Sequence, residues 1–221
     1  MVSAQEQLGP GTLVAERYAV EQLLGQGGFG EVWKAQDRVS GQPVALKTIL
    51  GGGDNKLQGR SRFGREIVTA ARLQHPHIVR ILDTGLLPDK RPFFTMEFLQ
   101  GQSLHRYEHQ PVVLLELFEQ LLEALAYAHA RGVVHRDLKP DNVIIVEQDG
   151  RPCLKLLDFG VAALDEVGGV TQIRKMSLTR PGAPLGTVSY MSPEQARGEP
   201  SAVGPPSDLY SLGVMLYASL T

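Results

Sequence analysis

The run His135-Arg136-Asp137-Leu138-Lys139-Pro140-Asp141-Asn142, with Asp158-Phe159-Gly160 downstream, gathers carboxylates, an amide and a lysine into two short stretches. A phosphoryl transfer needs these groups, because its transition state asks for alignment and charge neutralisation more than for covalent help. Asp137 can accept the proton of an attacking hydroxyl, and Lys139 can neutralise the oxygens of the group in transit. Asn142 and Asp158 offer hard oxygen donors, which fit magnesium better than zinc.

Two further runs suit a nucleotide. Gly25-Gln26-Gly27-Gly28-Phe29-Gly30-Glu31-Val32 is a glycine-rich turn. Glycine lets backbone amides approach phosphates and tolerates the positive φ of tight turns. Such a pattern is weak alone. A dinucleotide-binding fold uses similar spacing but opens a helix after the loop. Here Glu31-Val32-Trp33-Lys34-Ala35 reads as a strand, so that alternative fails on context. Val44-Ala45-Leu46-Lys47 then sets a lysine in an apolar strand, which is costly unless its ammonium meets an anion. The candidate anions are nucleotide phosphates and Glu66, with Glu31 as a competing carboxylate.

The elements that must position these groups follow from periodicity. Strands are expected over 18–24, 31–35, 44–49, 78–82 and 93–98, joined by Gly- and Pro-bearing turns. A helix carrying Glu66 is expected from Phe63, Ile67, Ala70, Ala71 and Gln74, ending at His75-Pro76. The strongest helix signal lies between 111 and 132. There Leu114, Leu117, Phe118, Leu121, Leu122, Leu125 and Ala128 recur at three and four residues, and Gly132 can cap the end.

Composition narrows the rest. At 221 residues, the chain suits one large domain or two small ones. A net charge of −2 argues against a dominant electrostatic role towards nucleic acid or membranes. The single cysteine, Cys153, forms no internal disulfide and reads as a small core residue, compatible with a reducing cytoplasm. No apolar stretch is long enough for a membrane span, and the start carries no secretion signal, so a cytoplasmic location is expected.

Taken together, these runs resemble the Hanks-type, eukaryotic-like serine/threonine protein kinases of bacterial type, over residues 18–221. The resemblance implies a bilobal α+β fold. A flexible leader at 1–17 would precede an antiparallel-sheet N-lobe with one main helix at 18–98. A mostly helical C-lobe at 99–221 would be truncated after the start of a large buried helix at Asp208-Leu209-Tyr210-Ser211-Leu212-Gly213. It also implies ATP and Mg2+ as cofactors, and transfer of the γ-phosphoryl group to serine or threonine hydroxyls of protein substrates. Self-association and autophosphorylation are further expectations.

By the same resemblance Asp137 is the catalytic base, Lys47 and Glu66 form an ion pair, and Asn142 and Asp158 hold the metal. Leu24, Gly25, Gln26, Gly27, Gly28, Phe29, Gly30, Val32, Ala45, Lys47, Met96, Glu97, Leu99 and Ile144 would line the nucleotide, with Met96 as gatekeeper before a hinge. Lys139, and Thr187 ahead of Ser192-Pro193-Glu194, mark the serine/threonine class, Thr187 bonding Asp137 and Lys139. Ser192 stands where the family usually has alanine. His135 is expected to pack against Phe159, and Asp208 to hold the backbone at His135 and Arg136. Arg136 would receive an activation-loop phosphate on Thr171, Ser177 or Thr179, among which the sequence does not choose. The alternative is a truncated, non-catalytic nucleotide-binding scaffold; the presence of Lys47, Asp137, Asn142 and Asp158 weighs against it.

Overall fold

The computed structural model describes residues 8–27, 30–49, 70–159 and 189–221. The chain divides into two compact units, Met1–Lys56 with Arg80–Leu99, and Leu57–Val79 with Gln100–Thr221. One is built on an antiparallel sheet and the other mainly on helices, the α+β composition expected from the sequence.

The first unit is a six-stranded sheet of β1 (Leu13–Val14), β2 (Tyr18–Gly27), β3 (Gly30–Asp37), β4 (Pro43–Ile49), β5 (Ile81–Leu86) and β6 (Pro92–Glu97). Its order is β1-β2-β3-β4-β6-β5. Trp33 and Ala35, Val44 and Leu46, and Phe93 join Val14, Tyr18, Val20 and Leu87 in one buried cluster. Successive strand residues alternate faces, so Val32, Ala45, Lys47 and Met96 occupy the opposite face. The register pairs Val32 with Lys47 and Ala45 with Met96.

Two expectations need correction here. The leader expected at 1–17 ends sooner, because β1 pairs with β2 and Val14 is only 2% exposed. Arg17 makes a bidentate bond to Asp37, Nε to Oδ1 at 2.7 Å and Nη2 to Oδ2 at 2.8 Å, and reaches Asp83 at 3.2 Å. A two-residue strand is too short to show periodicity. The strand expected at 78–82 instead begins at Ile81.

The second unit contains a small sheet, ordered β7 (Gln102–Ser103), β8 (Val143–Gln148) and β9 (Arg151–Leu156). The same unit contains helices α1 (Pro111–His129), α2 (Pro193–Arg197) and α3 (Pro205–Leu220). The shifted strand start has its cause here. Ile78 bridges Leu156, the Val79 N–H donates to the Leu156 carbonyl and the Leu156 N–H to that of His77, so the segment is already paired with β9.

Helix α1 buries Leu114, Leu117, Phe118, Leu121, Ala124, Leu125 and Ala128. Leu122, assigned to that face from sequence, is 43% exposed because it sits about 100° round from Leu121. Gly132, at φ 74°, closes the helix, and the Val133 N–H returns to the Ala128 carbonyl at 3.0 Å. Gln120 clasps β9, donating to Pro152 O at 3.2 Å and accepting from Leu154 N at 2.7 Å. Among the described residues no helix is long and apolar enough to cross a membrane.

Candidate active site

The backbone at Arg136 has φ 68°, a left-handed conformation costing roughly 1–2 kcal/mol for a residue with a Cβ. Several bonds hold it there. Asp208, on α3 and 1% exposed, accepts from the His135 N–H through Oδ2 and from the Arg136 N–H through Oδ1, both at 2.8 Å. The expectation for Asp208 is therefore met. His129, at the end of α1, adds a third contact to Oδ2 at 2.7 Å. Burial pushes the Asp208 carboxyl up, but the His129 bond and the two backbone N–H donors outweigh it and hold the group below its ordinary value. Gln195 of α2 donates from Nε2 to the Arg136 carbonyl at 2.6 Å.

His135 is fully buried and its ring bonds at both nitrogens. Nδ1 accepts from the Asp137 N–H at 3.3 Å, so the proton is on Nε2, which donates to the Leu157 carbonyl at 2.7 Å. Its ring also meets Phe159 edge-on, with centroids 5.0 Å apart. The histidine thus braces the loop that carries Asp137 against the residues around Asp158, matching the packing role inferred from sequence. The Leu157 N–H bonds the Asn142 carbonyl at 2.8 Å, joining the same two segments again.

These braces set out a compact polar group. Lys139 Nζ lies 2.8 Å from Asp137 Oδ2, and Asn142 Nδ2 lies 3.3 Å from the same oxygen. Asn142 also donates from Nδ2 to the Asp137 carbonyl at 2.7 Å. That bond fixes the amide's orientation and leaves its oxygen as the atom able to meet a cation. Asp158, at φ 57°, is a second residue in left-handed backbone. Among the described residues no three His, Cys, Asp or Glu side chains form a self-sufficient metal cage. One amide oxygen and one carboxylate fit a magnesium ion that keeps waters and phosphate oxygens for its other positions.

The first unit holds four of the expected nucleotide residues, Val32, Ala45, Lys47 and Met96, on one sheet face. Ala45, Lys47 and Met96 are buried, at 5%, 9% and 6% exposure, with Val32 half-buried beside them. Glu97 and Leu99 are also half-buried, and Leu24 is exposed at the bulge between Leu23 and Gly25. Gly25 and Gly27 are paired with β3, and a Cβ on either would meet nothing within 4 Å. The positive-φ argument therefore fails for them. It holds for Gly30, at φ 149°, where a Cβ would lie 1.7 Å from the Thr48 carbonyl oxygen. Ile144 lies on β8 of the second unit and is half-buried.

Gly28, Phe29, Glu66 and Thr187 lie outside the described residues, as do Thr171, Ser177 and Thr179 and most of the helix expected to carry Glu66. Sequence reasoning overlooked Gln195 and His129. The Ser-x-x-Gln spacing at 192–195, a capping-box pattern, was the available signal for the first. Nothing local signals that His129 reaches a carboxylate 79 residues away.

Comparison with known proteins agrees with this geometry. The protein kinase domain family matches residues 18–221. The DNA damage-responsive serine/threonine-protein kinase RqkA of Deinococcus radiodurans is 44% identical over 95% of this chain and 30% of its own length. Serine/threonine-protein kinase pkn3 of Myxococcus xanthus is 39% identical over 96% of this chain and 39% of its own. The chain thus spans about a third of the length of these curated relatives. The crystal structure of the Mycobacterium tuberculosis PknI kinase domain superposes with a TM-score of 0.71 at 28% identity, covering 97% of this chain and 79% of that one. The chain belongs to the protein kinase domain family.

Proposed function

We propose that this chain transfers the γ-phosphoryl group of ATP to serine or threonine hydroxyls of proteins, with Asp137 as the base. Family membership implies ATP and a divalent metal, typically magnesium. The observation that carries the reading is the convergence of Lys139 and Asn142 on one oxygen of Asp137, at 2.8 and 3.3 Å. Lys139 and Asn142 hold that carboxylate in place, and it takes the hydroxyl proton as the new O–P bond forms and the bond to the departing ADP breaks. Lys139, within reach of the transferring group, offsets its charge. Asn142 and Asp158 would hold magnesium, which when bound neutralises the phosphate oxygens. On the first unit, Lys47 with the glycine-rich turn would take the nucleotide phosphates, with Val32, Ala45 and Met96 against the base. The relatives' printed names as serine/threonine-protein kinases favour that substrate class.

The test is magnesium-dependent transfer of labelled phosphate from ATP to the chain itself and to a generic basic protein, beside Asp137→Asn. The variant is expected to lose roughly 100-fold or more in kcat, the range for a lost general base. Equal transfer by both proteins would overturn the role of Asp137. No transfer by the unsubstituted chain would overturn the activity.

A further inference from the structure

Ser192 stands where the resemblance leads one to expect alanine, and it is fully buried. Its N–H and Oγ both lie within bonding distance of Gln195 Oε1, at 3.1 and 3.2 Å. At its other end Gln195 donates from Nε2 to the Arg136 carbonyl at 2.6 Å. The chemistry leaves one way to orient this amide. A backbone N–H can only donate, so it requires the oxygen; a carbonyl can only accept, so it requires the nitrogen.

The carbonyl that Gln195 holds belongs to the peptide joining Arg136 to Asp137. The other polar atom of that peptide, the Asp137 N–H, donates to His135 Nδ1. The preceding peptide, whose N–H is on Arg136, is fixed by Asp208. Between these restraints sits the left-handed Arg136. We propose that Gln195 is a positioning residue for Asp137. Through the Arg136 carbonyl it sets the plane of the peptide from which the Asp137 side chain departs, and Ser192 in turn sets Gln195. The helix α2 is thereby coupled to the catalytic carboxylate through one side-chain amide. This rests on the phosphotransfer reading for what Asp137 does, and on geometry alone for what Gln195 holds.

A purely structural role is the competing account. Gln195 is the N3 residue of a capping box, and a glutamate there caps a helix equally well. Gln195→Glu separates the two. It keeps the size of the side chain and the acceptor for Ser192, but replaces the donor facing Arg136 with a second oxygen. Positioning predicts a fall in kcat of roughly 10- to 100-fold, the scale of a misplaced catalytic group. KM for ATP should change by less than about two-fold, since a misplaced base affects the transition state more than nucleotide binding. The deficit should shrink as pH falls towards protonation of the new carboxyl, which restores a donor. Ser192→Ala should give a smaller loss in the same direction. Arg197→Gln, on the exposed side of α2, should leave kcat unchanged.

Hydrogen exchange at the Asp137 amide supplies a readout independent of turnover. Gln195→Glu should accelerate exchange there while leaving the α1 amides unchanged. An unchanged kcat in Gln195→Glu overturns the proposal, and so does unchanged exchange at Asp137. If the unsubstituted chain transfers no phosphate, the phosphotransfer reading falls, and exchange alone decides whether Gln195 holds the Asp137 peptide.

Discussion

Asp208 shows how much a single side chain can fix when both its oxygens are committed. It meets the N–H groups of two successive residues, and the second of them holds left-handed backbone immediately before Asp137. Asp208→Asn keeps the shape but replaces one acceptor oxygen by an amide that can only donate. One buried backbone N–H is then left facing a donor. The expected loss is about 1–3 kcal/mol of unfolding free energy, the range for stranding a buried polar group. Urea denaturation followed by circular dichroism checks it, and an unchanged midpoint would mean the two N–H groups find other acceptors. The carboxylate was legible in the sequence because its surroundings resemble a known family run. Its partner His129 was not, because a bond spanning 79 residues leaves no local trace.

At the scale of elements, the sheet and α1 were readable where a repeating pattern repeats often enough. The leucines of α1 recur over 19 residues, and Val44 to Lys47 alternate between a closed cluster and the opposite face. Leu13–Val14 and the start of β5 were misread because pairing, not pattern, decides them. Gly30 and Gly25 illustrate the same limit, since both belong to one glycine-rich turn and only the structure separates them. Gly30→Ala would drive a Cβ into the Thr48 carbonyl and break the β3–β4 edge. It is expected to cost about 1–3 kcal/mol, as strain at a special backbone angle does. Gly25→Ala meets open space, so its cost should stay within about 0.5 kcal/mol. Thermal melts of the two variants side by side would decide the matter, and equal destabilisation would refute the distinction.

Across the whole molecule, the shifted carboxyls and His75 share a sense that shapes stability against acid. The Arg17 guanidinium holds the Asp37 carboxyl well below the ordinary 3.8, and the Ser207 hydroxyl holds Glu194 below the ordinary 4.5. Asp208 is lowered too. In each case the unfolded chain binds its proton at higher pH than the folded one, so stability is present above the unfolded value and lost as pH falls through the folded one. His75 acts in the same direction for a different reason. Burial, with the charge of His77, Arg131 and Lys155 opposed by Glu123, lowers it from 6.5, so protonation favours the unfolded chain. Tyr18 works from the alkaline side. Burial raises it above 10.0, and the stability this brings is lost as pH climbs through the folded value. Melting temperature is therefore expected to hold a plateau between about pH 7 and about pH 9.5, with a shallow decline beginning near the histidine range and a steeper one below about pH 4.5. His75→Gln removes only the shallow limb, because it deletes the one group of this set that titrates there. Identical melting profiles for the chain and His75→Gln between pH 7 and pH 5 would show that His75 carries no such linkage.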